Sequence, residues 1–386
     1  MIMSRVKYIG VDDHDIDLFE SQYEVPEGMC YNSYLVEGDK IAIMDSVDAR
    51  KTSEWIDKLV DALGGRTPDY LVVQHMEPDH SVSIASLVEK YPSITIVCSD
   101  NAKKFLGQFN EGLSVSVTTV KEGDALDLGG GVVLSFIAAP MVHWPEVIMT
   151  YLASEETLFS ADGFGKFGVY DADKDDWACE ARRYYFNICG KYGNNVSNVL
   201  KKVAGLKVSK IAPLHGPVLE GEQLAEALRL YKIWSAYDVE TPGGVLVAYA
   251  SIHGNTRKAA EKMAEMLEAK GATKVAVADL SRDDMAEVIE DAFRMGSVVL
   301  ACATYDGDIF PPMHFFLHKL KIKGYQRRRI GIIENGTWAP QAARIIRGML
   351  EGMKDIEIVE PVVTLKSSMK ASDLAQLEAL ADAIVK

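Results

Sequence analysis

The sequence predicts an α/β protein of two domains, a layered sandwich of sheets and helices followed by a doubly wound parallel sheet. Its 386 residues are too many for one ordinary hydrophobic core. The first part is rich in strand patterns, whereas strands and helices alternate strictly from Gly244 onward. The turn Thr241-Pro-Gly-Gly244 separates the two patterns. We therefore predict domains of residues 1–242 and 243–386.

The first domain contains apolar runs with the length of strands. Strands are predicted at KIAIMDSV, YLVVQH and ITIVCS, with helices near Trp55–Leu63 and after Ser81. A mostly β segment follows, with SVSVTTV, VVLSFIAA, VIMTYLA and TLFSAD. A helical stretch from about Asp176 to Leu206 and a short strand in KIAPLHGP complete the domain. Strand-rich units with helices outside them favour a layered sandwich.

The second domain alternates between strand and helix throughout. Its strands are predicted at VLVAYA, KVAVADL, SVVLACA, RIGIIEN and EIVEPVVTL. The helices between them are predicted near residues 255–270, 283–294, 314–320 and 341–353. Such alternation is typical of an open parallel sheet, which binds its ligands at the carboxyl ends of the strands.

The composition excludes several classes of function. A formal net charge of −15 repels nucleic-acid phosphates and anionic lipids, so neither is expected as a partner. No apolar run approaches the ~20 residues that cross a bilayer, and the N-terminus lacks a signal-peptide core, so we expect a cytoplasmic protein. The five cysteines form no C-x-x-C pair, which argues against a disulfide framework or an iron–sulfur site.

Seven histidines and carboxylates follow predicted strands of the first domain. A lone histidine or aspartate is more often structural, but the motif H-x-E-x-D-H after a buried strand is rare by chance. Alternate residues on an extended backbone point the same way, so His75, Glu77 and Asp79 can converge. Further candidates lie at later strand ends and can reach the same rim. The sequence therefore predicts a metal site formed by His75, Glu77, Asp79, His80, His143, Asp162 and His215.

This set resembles the metallo-β-lactamase superfamily, whose usual motif is H-x-H-x-D-H. Glu77 stands where the hydrolases have histidine, and that departure is the mark of the flavodiiron proteins. A carboxylate in place of an imidazole makes the site harder and suits iron better than zinc. The resemblance implies a metallo-β-lactamase-like αβ/βα sandwich. It also implies one iron on His75, Glu77 and His143, another on Asp79, His80 and His215, and Asp162 as the bridge.

Two aromatic residues are candidates to line the pocket, Trp144 and Tyr31, although a plain core or rim position is the alternative for each. Arg327-Arg-Arg329 is a dense basic run in an acidic chain. A solvated turn is the default interpretation of this run. A docking spot for an acidic electron donor is the alternative.

Three loops at strand ends of the second domain predict a flavin site. The first has hydroxyls, a glycine and free N–H groups at a helix N-terminus, which can cradle a phosphate. It lacks the Walker A lysine and the spacing of a dinucleotide fingerprint, so neither ATP nor NAD is expected. The trio resembles flavodoxin, which implies a flavodoxin-like fold that binds FMN. The candidate residues are Ser251, Ile252, His253, Gly254, Asn255, Thr256, Thr304, Tyr305, Asp306, Gly307, Asn335, Gly336, Thr337 and Trp338.

Both motif sets occur in the order of the flavodiiron family, which implies an oxidoreductase. It would reduce dioxygen to water, nitric oxide to nitrous oxide, or both, at a non-haem di-iron site that FMN supplies with electrons. A zinc hydrolase with a regulatory flavodoxin-like domain is the alternative. An electron-transfer module with a structural metal is a third possibility. Since the chain ends at Lys386 without a rubredoxin module, we expect an external donor, either a rubredoxin-like protein or a reduced deazaflavin. The resemblance also implies a head-to-tail homodimer or a dimer of dimers.

Overall fold

The computed structural model describes residues 4–170 and 177–386. The chain divides into two compact units, Met1–Lys232 and Ile233–Lys386. The start predicted for the helical stretch, Asp176, lies outside the described residues, and the helix begins at Trp177. Within the described ranges, no helix combines the length and the apolar character needed to cross a membrane.

The strands of the first unit are short. They are β1 (Val6–Tyr8), β2 (Val11–Asp13), β3 (Leu18–Phe19), β4 (Tyr23–Glu24), β5 (Met29–Tyr31), β6 (Tyr34–Glu37), β7 (Ile41–Met44), β8 (Tyr70–Val73), β9 (Thr95–Cys98), β10 (Ser116–Thr119), β11 (Ala125–Asp127), β12 (Val133–Ala138), β13 (Ile148–Leu152), β14 (Thr157–Phe159), β15 (Lys210–Ala212) and β16 (Leu219–Glu220). The helices are α1 (Thr52–Leu63), α2 (Pro78–Ser81), α3 (Ile84–Lys90), α4 (Asp100–Phe109), α5 (Trp177–Ile188), α6 (Gly193–Val203) and α7 (Gly221–Ser235).

Two sheets of this unit, each with six strands among the described residues, form the predicted sandwich. The first has the order β1-β6-β7-β8-β9-β10, and its strands from β7 to β10 are parallel. The second has the order β11-β12-β13-β14-β15-β16 and is antiparallel except where β14 meets β15. Met44 and Val72 of the first sheet share one buried cluster with Phe136 and Phe159 of the second. Burial of these faces against each other holds the two sheets together.

The second unit contains one main parallel sheet. Its strands are β17 (Thr241–Ala250), β18 (Lys274–Asp279), β19 (Met295–Tyr305), β20 (Asp308–Ile309), β21 (Arg329–Asn335), β22 (Glu357–Ile358) and β23 (Val363–Leu365). The helices are α8 (Asn255–Ala269), α9 (Met285–Arg294), α10 (Pro311–Ile322), α11 (Ala342–Leu350) and α12 (Leu374–Val385). The order β18-β17-β19-β21, with β22 and β23 both beside β21, confirms the predicted doubly wound sheet.

The second unit begins about ten residues before the boundary predicted between 242 and 243, which stays a prediction. The intervening segment is bonded to the second unit itself. The buried guanidinium of Arg328 donates to the carbonyls of Tyr237 and Asp238 at 2.9 and 3.1 Å, and also to that of Phe293. Trp234 Nε1 donates to Glu240 at 2.7 Å.

The basic run at 327–329 is therefore not a free surface patch. Arg329 donates to the carbonyls of Ala383 and Ile384 near the end of α12. Arg327 pairs with Asp238 at 3.2 Å and keeps nearly half of its side chain exposed. Neither the solvated turn nor the docking spot describes these side chains well, because all three donate to backbone carbonyls, Arg327 to that of Ala236 at 3.0 Å.

We predict that Arg328→Ala lowers the free energy of unfolding of the second unit by about 3 kcal/mol or more, because it removes a buried side chain that donates to the carbonyls of Tyr237, Asp238 and the buried Phe293. Arg327→Ala is the matched control. It removes an exposed ion pair and should cost about 1 kcal/mol or less. Thermal or denaturant unfolding of both variants measures the difference. An equal loss of unfolding free energy in the two variants would mean that the hydrogen bonds of Arg328 stabilise the unit no more than the exposed side chain of Arg327 does.

Candidate metal and flavin sites

The seven predicted metal ligands gather in two adjacent groups. One group contains His75, Glu77, His143 and Asp162, and the other contains Asp79, His80 and His215. Within each group the candidate ligand atoms all lie within 4.8 Å of one another.

In the first group, the imidazoles converge on two carboxylates. His143 Nε2 lies 3.0 Å from Glu77 Oε2 and 3.1 Å from Asp162 Oδ2. His75 Nε2 lies 3.2 Å from the same Glu77 oxygen and 3.5 Å from Asp162 Oδ2. Two imidazole nitrogens and two carboxylate oxygens thus surround one point.

In the second group, two imidazoles and a carboxylate face each other. His80 Nε2 and His215 Nε2 are 3.1 Å apart, and they lie 3.2 and 3.3 Å from Asp79 Oδ2. Asp162 connects the groups, because its other oxygen, Oδ1, lies 3.2 Å from His80 Nε2 while Oδ2 belongs to the first group. Its carboxylate is thus placed to bridge two metal ions.

The ligands follow strand ends in both sheets of the first unit. His75 comes two residues after β8 of the first sheet, whereas Asp162 and His215 follow β14 and β15 of the second, and His143 lies between β12 and β13. The expectation of a common extended backbone for the first three ligands was wrong for Asp79. Pro78 starts the one-turn helix α2, with Glu77 as its N-cap, and the helix turns Asp79 and His80 toward the second group.

These residues fit metal ions by the chemistry of their buried atoms. Neither oxygen of Asp79, nor Oδ1 of Asp162, accepts a hydrogen bond from the described residues. Buried acceptors without donors are costly, and so are two imidazole nitrogens that face each other. A cation at each position would satisfy them all. Carboxylate oxygen and imidazole nitrogen together suit iron, manganese or zinc.

The pKa values of these groups also indicate a site that favours positive charge. Burial opposes protonation of His75, but Asp162, Glu146 and Glu77 outweigh it and raise its pKa well above the usual value. Burial likewise opposes protonation of His143, but its bonds to Asp162 and Glu77 raise its pKa to about 9. Burial would raise the pKa of Glu77, yet the two imidazoles lower it to about 2. Protons on the imidazoles thus neutralise the carboxylates when no metal does.

Several residues that the sequence did not single out support the ligands. The carboxylate of Glu146 lies 2.7 Å from His75 Nδ1. The carbonyl of Cys30 lies 2.7 Å from His215 Nδ1. Asn32 Nδ2 donates to the carbonyls of Pro213 and Gly216, on either side of the His215 loop. Glu146 lies three residues after His143, just before a strand, and this spacing was the available signal.

The two candidate pocket aromatics both lie against ligand rings. Trp144 meets His75 edge-on, with ring centroids 5.3 Å apart. Tyr31 is buried and lies edge-on to His215 at 6.0 Å. Both help to fix the imidazole planes, and a role in catalysis stays a prediction.

The predicted flavin residues line a cavity of about 570 Å³ at the carboxyl ends of β17, β19 and β21. All of the predicted residues except Gly254 are in its wall. Gly254 is instead the N-cap of α8, with φ +81° and no side-chain cap, so the first N–H groups of α8 are free to bind an anion. Four residues of the wall were not in the predicted set: Ala303, Ala339, Gln341 and Ser367.

Asn335, in the third loop of this cavity, is bonded to Ser367 and to Thr256 of the first loop. Its Nδ2 donates to the Ser367 carbonyl at 2.8 Å, and its Oδ1 accepts from the Ser367 N–H at 3.1 Å. The same Nδ2 lies 3.3 Å from Thr256 Oγ1 in the first loop. Trp338 is 83% exposed at the rim, so its indole is free to cover a bound ring. The shape and the free helix N-terminus fit a planar ligand with a phosphate.

Comparisons with known proteins agree with both sites. Residues 29–216 match the family described as ODP family beta lactamase, and residues 247–376 match the flavodoxin family. An anaerobic nitric oxide reductase flavorubredoxin from Aliivibrio fischeri is 29% identical over 347 residues, which cover 87% of this chain and 69% of that protein.

Solved structures are similar over nearly the whole chain. The rubredoxin oxygen:oxidoreductase of Desulfovibrio gigas superposes with a TM-score of 0.92 at 25% identity, over 100% of this chain and 97% of that one. A flavodiiron protein from Giardia intestinalis gives a TM-score of 0.91 at 22% identity, over 99% and 95% of the two chains, and shows the shared fold.

We predict that metal binding to the metal-free protein releases protons and tightens as the pH rises from 7 to 9. The pKa of about 9 keeps the imidazole of His143 largely protonated below that pH, the pKa of His75 is shifted in the same direction, and a metal must displace the protons that these rings carry. Affinity should rise about tenfold per pH unit for each proton displaced, and the contribution of His143 should level off above its pKa of about 9. Calorimetry in buffers of different ionisation enthalpy counts the protons. An affinity that does not change with pH would contradict the prediction.

We also predict that Thr256→Asp abolishes FMN binding and leaves metal binding intact. Thr256 is buried in the first turn of α8, where a carboxylate would compete with a phosphate for the same N–H groups. Thr256→Ser keeps the hydroxyl and serves as the control. Flavin absorbance and metal content after purification give the answer, with circular dichroism to confirm folding. Stoichiometric flavin in the folded aspartate variant would mean that the phosphate binds elsewhere.

Proposed function

We propose a function from one premise, that this chain belongs to the flavodiiron protein family. The chain is an oxidoreductase with a β-lactamase-like domain and a flavodoxin domain. We propose that it reduces dioxygen to water, nitric oxide to nitrous oxide, or both, at a non-haem di-iron site supplied with electrons by FMN. Among its relatives, one is named for nitric oxide and another for rubredoxin and oxygen.

The observation that carries this proposal is the pair of ligand groups joined by Asp162, with Glu77 in the first. Each group offers nitrogen and oxygen ligands, and Asp162 offers one oxygen to each. Two ferrous ions and a reduced flavin together would hold four electrons, which is the number that reduction of dioxygen to water requires. Glu77 supplies the carboxylate that favours iron over zinc.

The protein itself determines from which side a small substrate can approach. The side chains of His75, His80 and His215 are fully buried, and that of Asp162 is 1% exposed. Glu77, Asp79 and His143 keep 16%, 11% and 10% of their side chains exposed. The open side of the site is therefore formed by these three residues, one or more from each group. Asp162 and the three buried histidines would hold the metal ions from the opposite, buried side.

The alternative, a zinc hydrolase, uses the same fold and would need zinc in both positions. The two possibilities differ in metal content and in the reaction catalysed. Several further expectations stay predictions: an external electron donor, either a rubredoxin-like protein or a reduced deazaflavin, a head-to-tail homodimer or dimer of dimers, and a cytoplasmic location.

The test compares the native protein with Glu77→His. We expect two irons and one FMN per native chain, and gas reduction when the reduced protein is mixed with dioxygen or nitric oxide. The variant should gain zinc and lose turnover roughly 100-fold or more, because even outer-shell changes cost 10–100-fold. Metal analysis and stopped-flow turnover are the measurements.

Glu222→His, on the exposed start of α7, is the control for the substitution itself and should keep native iron and turnover. A native protein that contains only zinc and cleaves esters or thioesters would overturn the proposed function. Normal oxygen turnover in Glu77→His would overturn the argument from ligand hardness.

A further inference from the structure

The carboxylate of Glu146 lies directly behind a candidate metal ligand. Its Oε1 is 2.7 Å from His75 Nδ1, while His75 Nε2 faces Glu77 and Asp162 in the first ligand group. The same oxygen accepts the N–H of Met76 at 2.9 Å. The side chains of Glu146 and His75 are both fully buried. An acceptor in this position keeps the proton of the neutral ring on Nδ1 and leaves the Nε2 lone pair for a metal.

Glu146 has no neutralising cation apart from the imidazole. Its second oxygen, Oε2, accepts no hydrogen bond from the described residues, and no lysine or arginine of that part of the chain pairs with it. A buried, unpaired carboxylate is costly, so its charge must be compensated through His75. A metal dication on Nε2 supplies that compensation across the ring.

The two histidines of the second group lack a comparable partner among the described residues. His215 Nδ1 lies 2.7 Å from a neutral acceptor, the carbonyl of Cys30. His80 Nδ1 has no hydrogen-bond partner among the described residues. Thus one ligand of the first group is hydrogen-bonded to a carboxylate, while in the second group one ring is bonded to a carbonyl dipole and the outer nitrogen of the other has no hydrogen-bond partner among the described residues.

The carboxylates that contact the ligands of the two positions are accordingly unequal. The first position has Glu77 as a ligand and Glu146 bonded to His75 Nδ1, whereas the second has Asp79 as a ligand and, among the described residues, no carboxylate hydrogen-bonded to the outer nitrogen of either ring. Asp162 is shared and does not distinguish them. A charge-assisted bond to an imidazole also makes the ring a stronger donor to its metal.

We propose that Glu146 is a positioning residue that makes the His75–Glu77–His143 position bind its metal first and more tightly than the Asp79–His80–His215 position. This inference rests on the proposed function, because it requires that both groups bind metal. The two positions would then bind their metal ions in a fixed order, the His75–Glu77–His143 position first.

The test is a calorimetric titration of the metal-free full-length chain with Zn²⁺ alone. The native protein should show two steps of unequal affinity. Glu146→Gln keeps the shape and the acceptor oxygen but removes the charge. It should weaken the tighter step 10–100-fold and leave the weaker step unchanged. In the zinc-loaded, ¹⁵N-histidine-labelled protein, the Nδ1 proton of His75 should move upfield, since its acceptor is no longer charged.

A second substitution separates charge from packing. Glu146→Asp keeps the charge but is one methylene shorter, so it leaves a small gap. If charge matters, the tighter step should be stronger in the aspartate variant than in the glutamine variant. If Glu146 only fills space, the order is reversed, because glutamine packs like glutamate. That reversed order would overturn the proposal.

Asp45→Asn is the control for a general structural effect. Asp45 is also a buried carboxylate near His75 and His80, but it accepts from the backbone N–H groups of Gln74 and His75 and from the side chain of Gln74, and it is hydrogen-bonded to neither imidazole. This variant should melt at a lower temperature and leave the affinity of the tighter step unchanged. Loss of the tighter step in Asp45→Asn as well would overturn the role assigned to Glu146. A native chain that binds neither zinc nor iron would instead overturn both the proposed function and this inference.

Discussion

The first unit depends on the convergence of buried carboxylates and imidazoles around Asp162. This one side chain faces ligands of both groups, and 1% of it is exposed. So much buried charge is tolerable only if opposite charge is held among the ligands, as protons or as metal ions. The surrounding structure serves this requirement. Strand ends of both sheets meet here, Pro78 starts a single turn of helix, and one backbone carbonyl and one carboxylate fix the outward nitrogens of two rings.

The two units place their ligands by the same rule. In each, polar residues directly after a buried strand lie at one edge of a sheet, where side chains from strands far apart in sequence come together. The flavin cavity adds a helix N-terminus without a side-chain cap, at Gly254. The proposed function would use two different ligand edges, one rich in candidate metal ligands and one with free N–H groups.

The sequence predicted what depends on strong local patterns. Buried strands such as β8 and β17 are visible as apolar runs, and the residues that follow them became the candidate ligands. The short strands β1 to β6 were not predicted, because two to four residues between turns carry no clear period. The support that Cys30 and Asn32 give to the His215 loop was therefore invisible. Helix α12 was not predicted either, although its sequence carries a helical pattern. Its buried residues Leu377, Leu380, Ala381 and Ile384 are spaced for one helical face. Glu146 had only its place three residues after His143 as a signal, and its partner could not be read from the sequence, because His75 lies 71 residues away.

Because the candidate metal ligands come from both sheets, bound metal would affect how long the folded protein persists. His75 belongs to the end of one sheet, and Asp162 and His215 belong to the ends of the other, so bound metal would cross-link the two layers of the sandwich. Opening either layer would then expel the metal. Ligand-linked stabilisation amounts to about 2.7 kcal/mol when free metal is 100 times its dissociation constant. The fraction of unfolded chains, and with it their exposure to proteases, would follow the metal supply of the cell. Scarcity of the metal would thus shorten the lifetime of the protein that uses it.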